Sequence, residues 1–349
     1  MKQDMRLYVI AIALSSVAAC GGGGGTSQNP VVVATAAPQA SSQPNASGKL
    51  TIVVPTRQEG PSARKFITPA VAGVSIQVSG GGGSWSNFYA ITASAPYCSG
   101  APLACTLGFN AFAGTDTIAV TTYDQATPGG YATSSGTTTT TIAAGSANNV
   151  TITTEGIVGQ IAFAFSNPYP ATGSAQTINL EYAGADADDY VVTGTYAYPI
   201  KFSDSDTSGV TTTPANATAS GQTLTVQYSG GTLASPATYG GATTAPAFFL
   251  AGVSSNPTIT PGGNGPIPSP ALLTFTSPTA GAQTIAISSA GTSTPPYSVI
   301  PYSCGGAINA VSTGLNTYTI APTGTAAFCA IEVMDSESNT TQVPVVIQP

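Results

Sequence analysis

A chain of 349 residues with 40 Gly, 27 Pro, 6% charged residues and no histidine is poor in helix formers and lacks the side chain that Ser-His-Asp and Cys-His catalysis require. Its formal net charge is −7, and after Lys65 one base stands against twelve acids, which argues against binding a nucleic-acid backbone. The 42% apolar content argues against disorder throughout, and the length allows two or three domains, each with its own core.

The N-terminus reads as an export signal over residues 1–19. Lys2 and Arg6 precede the apolar run LYVIAIAL (7–14), and small residues lead to a cysteine in VAAC (17–20). That run is too short to remain as a transmembrane helix. VAAC resembles the lipobox of bacterial lipoproteins. The resemblance implies a diacylglyceryl group on the Cys20 sulfur, cleavage before Cys20 and acylation of the new amino terminus, so that the chain meets a membrane through a lipid anchor. Gly21, where Asp would signal inner-membrane retention, implies the outer membrane by the same resemblance. Cysteine arithmetic agrees. Cys98 with Cys105, and Cys304 with Cys329, form two local pairs expected to be disulfides, and Cys20 is the odd one left over. A Cys-x₆-Cys pair with no histidine in the chain is a poor zinc site. Residues 20–48 are rich in Gly, Ser, Ala, Gln and Pro, which is the composition of a flexible tether.

Three β bodies follow. The first, 49–156, carries alternating segments at AGVSIQVSG, NFYAITAS, DTIAVTTYD and NNVTITTEG, with YCSGAPLAC (97–105) read as a loop stapled by its two cysteines. In the second, 157–262, GQIAFAFSNP and QTINLEY alternate. DDYVVTGTYAYPIKFSDSD (188–206) is predicted as one long strand with Tyr190, Val192, Tyr196, Tyr198, Ile200 and Phe202 on a single face. PGGNGPIPSP (261–270) reads as a linker to the third body, 271–349. The closing hairpin CAIEVMDSESNTTQVPVVI (329–347) pairs an Ile-x-Val-x-Asp strand with a polar turn and a Val-rich strand. It resembles the immunoglobulin-like domains of bacterial surface proteins, and AGTDTIAVTTYD (113–124) is a looser copy. The expected class is all-β: tandem immunoglobulin-like β-sandwiches on a tether. The resemblance implies a stalk, adhesive or scaffolding role and carries over no catalytic residue.

The chemistry-bearing groups are few. Asp186, Asp188 and Asp189 precede the Tyr-rich segment, and Asp204 and Asp206 end it. DSDTSG (204–209) spaces oxygens like the first half of a calcium loop, but Ala215 occupies the position of the bidentate acid. These five aspartates are the candidate calcium ligands, with an acidic, solvated turn as the alternative. Tyr97, Tyr123, Tyr131, Tyr228 and Tyr239 lie near expected loops and are open candidates for stacking on sugar rings. Lys49, Arg57, Arg64 and Lys65 form a basic group just after the tether, able to touch anionic headgroups or polysaccharide. Ser62-x-x-Lys65 lacks the Lys-Thr-Gly of its catalytic class, and the glycines at 80–83 read as a turn. The expectation is a cell-envelope protein, lipid-anchored at the outer membrane. It acts as a non-enzymatic binding or structural module for a protein or polysaccharide ligand, the alternative being a carbohydrate-binding module.

Overall fold

The computed structural model describes residues 44–55, 67–243 and 256–349. Residues 1–43, Arg57 and the Ser-x-x-Lys at 62–65 lie outside them, so the expectations for the signal, Cys20 and nearly all of the tether concern residues not described. Among the described residues every regular element is a strand.

The first body contains β1 (Ala46–Val54), β2 (Gly73–Gly80), β3 (Gly83–Ala90), β4 (Cys98–Ser99), β5 (Leu103–Ala111), β6 (Gly114–Tyr123), β7 (Ala132–Ile142) and β8 (Asn148–Val150). One sheet runs β4-β5-β1-β8 and the facing one begins β3-β2-β6-β7. The alternation sets the register: Leu50 lies opposite Leu107 and Ile52 opposite Cys105, so both strands turn their apolar residues inward. Ile76, Val78, Ile118 and Val120 close the core from the other sheet. Gly81-Gly82 turns the β2–β3 hairpin, as expected of the glycine run. The cysteine pair sits not in a loop but across the β4–β5 hairpin, where Cys98 and Cys105 are direct partners joined by a disulfide.

β9 (Glu155–Gly156) pairs with β7 on one side and, in parallel, with a strand of the second body on the other. The second body comprises β10 (Gln160–Phe165), β11 (Gln176–Ala185), β12 (Thr195–Asp204), β13 (Ala217–Ala219), β14 (Leu224–Tyr228), β15 (Ala237–Thr243) and β16 (Thr258–Ile259). Its sheets are β10-β11-β14 and β16-β15-β12, with β13 on the far edge of β12. Through β9 the second of these continues into the β3-β2-β6-β7 sheet. NNVTITTEG is therefore two short strands separated at 151–154. The long strand expected over 188–206 starts only at Thr195, because Gly194 takes a φ of 79° and breaks the extended run.

The third body holds β17 (Gly265–Ser269), β18 (Leu273–Phe275), β19 (Gln283–Ala290), β20 (Ser298–Ile300), β21 (Ile308–Gly314), β22 (Thr317–Pro322), β23 (Ala327–Met334) and β24 (Thr340–Ile347). Its sheets are β17-β19-β22-β21 and β18-β24-β23-β20. In chain order these are the first, third, sixth and fifth strands facing the second, eighth, seventh and fourth, which is the immunoglobulin arrangement with a split first strand. The second body follows the same scheme with β13 moved beside β12. In the first body β2 and β3 share one sheet, so that sandwich has a different strand order. The segment read as a linker contains β17, which enters the third body's sheet. A disulfide ties Cys304, after β20, to Cys329 in β23.

The second and third bodies meet through a small apolar contact. Ala162 and Ala183, on the outer face of β10 and β11, pack against Val346 of β24. Glu181 Oε2 accepts the backbone N–H groups of Ala271 and Leu272, each at 3.0 Å. The Tyr169 hydroxyl lies 3.0 Å from both Thr340 O and Thr341 Oγ1. Its ring comes so close to Gly265 that a Cβ there would lie 2.5 Å from ring atoms. The described residues accordingly hold together as one compact unit.

Candidate functional site

The three bodies converge on the turn Asp186–Tyr190. Asp186 leaves β11, and its Oδ1 accepts the backbone N–H of Asp188 and of Tyr190, each at 3.0 Å, while its own N–H reaches Tyr190 O. Asp189, at a φ of 67°, closes the turn and accepts Gln160 Nε2 at 2.6 Å. Immediately beyond, Val191 N–H donates to Gln348 Oε1 of the third body at 3.3 Å. Tyr190, half-buried, reaches a groove of about 1160 Å³ whose walls come from all three bodies, among them Lys49, Ile52, Val150, Ser277 and Pro349.

The turn is electrostatically costly. Asp186 is fully buried, and its Oδ2 and the Oδ2 of Asp188 have no hydrogen-bond partner. Burial pushes the Asp186 carboxyl up to about 7, despite the two N–H groups and the nearby Thr68 hydroxyl of the first body, which favour its charged form. Burial, with the charges of Asp124 from the β6–β7 loop and of Asp189, pushes Asp188 up to about 6. Four carboxylates from two bodies thus share one junction.

The calcium reading of the aspartates does not survive the geometry. β12 separates the 186–189 group from Asp204 and Asp206 by roughly 30 Å of extended chain. Among the described residues no three or more His, Cys, Asp or Glu side chains gather in a way that would hold a metal ion. The Asp204 and Asp206 oxygens are already committed inward. Ser208 N and Oγ donate to Asp206 Oδ1 at 2.7 and 2.5 Å, and Thr211 N and Oγ1 donate to its Oδ2 at 2.7 and 3.1 Å. Asp204 accepts Asp206 N at 3.0 Å and Thr213 Oγ1 at 2.7 Å. Slight desolvation works against charge at Asp206, but the Ser208 and Thr211 donors outweigh it and hold the carboxyl at about 2. The loop is an aspartate-stabilised turn, the alternative named for it.

The tyrosines divide. Tyr196, Tyr228 and Tyr239 are core residues, and Tyr198 is half-buried on β12. Tyr97 donates to Ala90 O at 2.9 Å, and the Tyr131 backbone N–H is held by Asp124 Oδ1 at 2.6 Å. Tyr123 differs: its ring lies 5.7 Å from that of Phe88 at 50°, on the outer face of the first body. This pair borders a depression of about 430 Å³, which Gln77, Ser86 and Asn87 also line. Phe88 was not singled out by sequence. Alternation alone does not give the β2–β3 pairing that sets Phe88 opposite Ser75 on the wet face.

No family model and no curated protein matches the sequence. Among solved structures the chain is similar to the Escherichia coli adhesin FdeC, at 9% identity over 87% of this chain and 98% of that one, with a TM-score of 0.24. It is also similar to the Yersinia pseudotuberculosis adhesin InvE, at 14% identity over 54% of this chain and 58% of that one, with a TM-score of 0.20. The third likeness is to domains 5–6 of the S-layer protein SbsC, at 13% identity over 55% of this chain and 99% of that one, with a TM-score of 0.21. At these scores the likenesses add nothing to the fold read from strand order.

Proposed function

We propose that this chain is an exported, lipid-anchored protein of the cell envelope, held at the outer membrane through Cys20 and acting there as a non-enzymatic binding or structural module of the adhesion type. The observation that carries the reading is the cysteine balance. Cys98–Cys105 and Cys304–Cys329 are both closed, so Cys20 is the odd cysteine, and it stands directly after Val17-Ala18-Ala19. Acylation accounts for an unpaired thiol in an exported chain. The sandwiches beyond it are locked to one another by β9 and by Glu181, as suits a part that presents surfaces. The chain has no histidine with which to activate a serine or cysteine nucleophile.

The test is surface accessibility on intact bacteria, native chain against Cys20→Ser. External protease should remove the native chain, and Cys20→Ser should be released or left unprocessed. Protection until the outer membrane is permeabilised would point to a periplasmic face and end the adhesion reading. Indistinguishable fractionation of the two chains would end the lipid anchor.

A further inference from the structure

The sheet-face depression of the first body has the chemistry of a sugar site. β2 contributes Ser75 and Gln77, β3 contributes Ser86, Asn87 and Phe88, β6 contributes Tyr123, and Pro128–Gly129 of the β6–β7 loop form one rim. Its volume, about 430 Å³, falls within the range of small-ligand sites. No charged side chain lines it.

Two features separate it from an ordinary wet sheet face. The first is the aromatic floor. Phe88 comes down over β2 because residue 73 is glycine; a Cβ there would lie 2.4 Å from Phe88 Cζ. The tip of that ring thus meets Gly73, and the ring lies beside that of Tyr123, both being half-buried. The second is the ring of unengaged polar groups. Among the described residues no side-chain hydrogen bond occupies Ser75, Gln77 or Ser86, which share this face, and the last two are exposed. Further along the same outer face, by contrast, Thr117 and Thr139 lie within hydrogen-bond distance of each other at 3.2 Å.

We propose that this depression binds a neutral saccharide, stacked on Phe88 and Tyr123 and hydrogen-bonded through its hydroxyls to Gln77 and Ser86, which are direct cross-strand partners on this face. Pyranose rings present an apolar C–H face and a polar rim, which this floor and rim match. Uncharged walls disfavour phosphates, sulfates and uronates. The proposal deepens the envelope reading by naming a ligand class and rests on its premise that the chain is a binding module; it does not depend on the anchor.

The experiment uses the exported chain carrying Cys20→Ser, purified in soluble form, on an array of neutral glycans and polysaccharides with polygalacturonate as the charged control. At least one neutral glycan should be retained, and calorimetry should show its affinity falling about tenfold in Gln77→Ala and in Phe88→Ala. Gln77 is exposed, so its variant keeps the melting temperature even if Phe88→Ala is destabilised. Failure to bind any neutral glycan, affinity unchanged in Gln77→Ala, or preference for polygalacturonate would each overturn the proposal. A chain that is shaved from intact cells but binds no neutral glycan would lose this site and keep its envelope role.

Discussion

Asp186 and Asp335 sit at the same position of the same five-residue turn, one in the second body and one in the third. In each, the aspartate Oδ1 accepts the N–H groups two and four residues on, at 3.0 and 3.0 Å for Asp186 and at 2.9 and 2.8 Å for Asp335. The fourth residue, Asp189 or Ser338, takes a φ of 67°. The two turns differ at the fifth residue. Asn339 donates its side-chain amide to Asp335 Oδ2 at 2.8 Å, whereas Tyr190 leaves Asp186 Oδ2 unpartnered. Desolvation at Asp335 is offset by the Asn339, Ser293 and Glu337 donors and its carboxyl is lowered, while at Asp186 burial prevails and the carboxyl is raised.

The difference predicts a pH dependence of stability. A carboxyl raised from 3.8 to about 7 holds its proton in the folded chain while the unfolded chain has lost it. That contribution is full below about pH 4 and disappears as pH rises through about 7, on the order of 2 kcal/mol between pH 5.5 and 8. Asp188, raised to about 6, adds loss of the same sign at slightly lower pH. Asp186→Asn, with no charge to bury, should be more stable than the native chain at pH 8 and show a flatter profile. Urea unfolding from pH 5 to 8.5 checks this. Equal slopes for the two chains would show that Asp186 is not the titrating group.

The third-body turn yields the reciprocal prediction. Asn339→Ala deprives Asp335 Oδ2 of its amide, and Asp335 is itself 4% exposed. The cost should be about 1–2 kcal/mol at pH 7, read by urea unfolding. In the other direction, Tyr190→Asn supplies Asp186 with the amide that Asp335 already has. The acid-side gain in stability should then shrink.

Much of this fold was legible in the sequence because apolar residues alternate wherever one sheet face is buried. Ile178 and Leu180, or Ile331 and Val333, mark β11 and β23 at sight. β7 was missed for the opposite reason: its run ATSSGTTTTTI keeps threonines on its exposed positions and carries almost no apolar signal, although β-branching favours a strand. β5 alternates cleanly at Leu103, Cys105, Leu107 and Phe109, but a Cys-x₆-Cys spacing fits a stapled loop as well as a hairpin. The junction was not legible at all. Asp124 meets Asp188, and Glu181 meets Ala271, across sequence distances that no periodicity encodes.

Glu181 makes the contact between the second and third bodies testable. Both backbone amides it accepts, Ala271 and Leu272, begin the approach to β18. Glu181→Ala leaves them without an acceptor and should cost about 2–3 kcal/mol. Because the loss falls at the contact and not in a core, calorimetry should show one transition separating into two, the third body melting apart from the rest. A single transition merely shifted down would mean that the Ala162–Ala183–Val346 packing couples the bodies without it.

The two disulfides should differ in weight, and the order follows from the chain each one closes. Cys304–Cys329 spans 25 residues and Cys98–Cys105 spans 7. Loop-closure entropy gives about 3.5 and about 2.5 kcal/mol respectively. Replacing each pair by alanines should therefore lower stability more for the longer loop, with both variants still folded. All four cysteines are buried, from 0% exposed at Cys105 to 8% at Cys98. A thiolate reductant reaches them only when the surrounding strands open. Thiol labelling after mild reduction should consequently be slow in buffer and fast in denaturant. Rapid labelling of Cys98 and Cys105 in buffer would show that the β4–β5 hairpin opens on its own while the sandwich behind it stays closed.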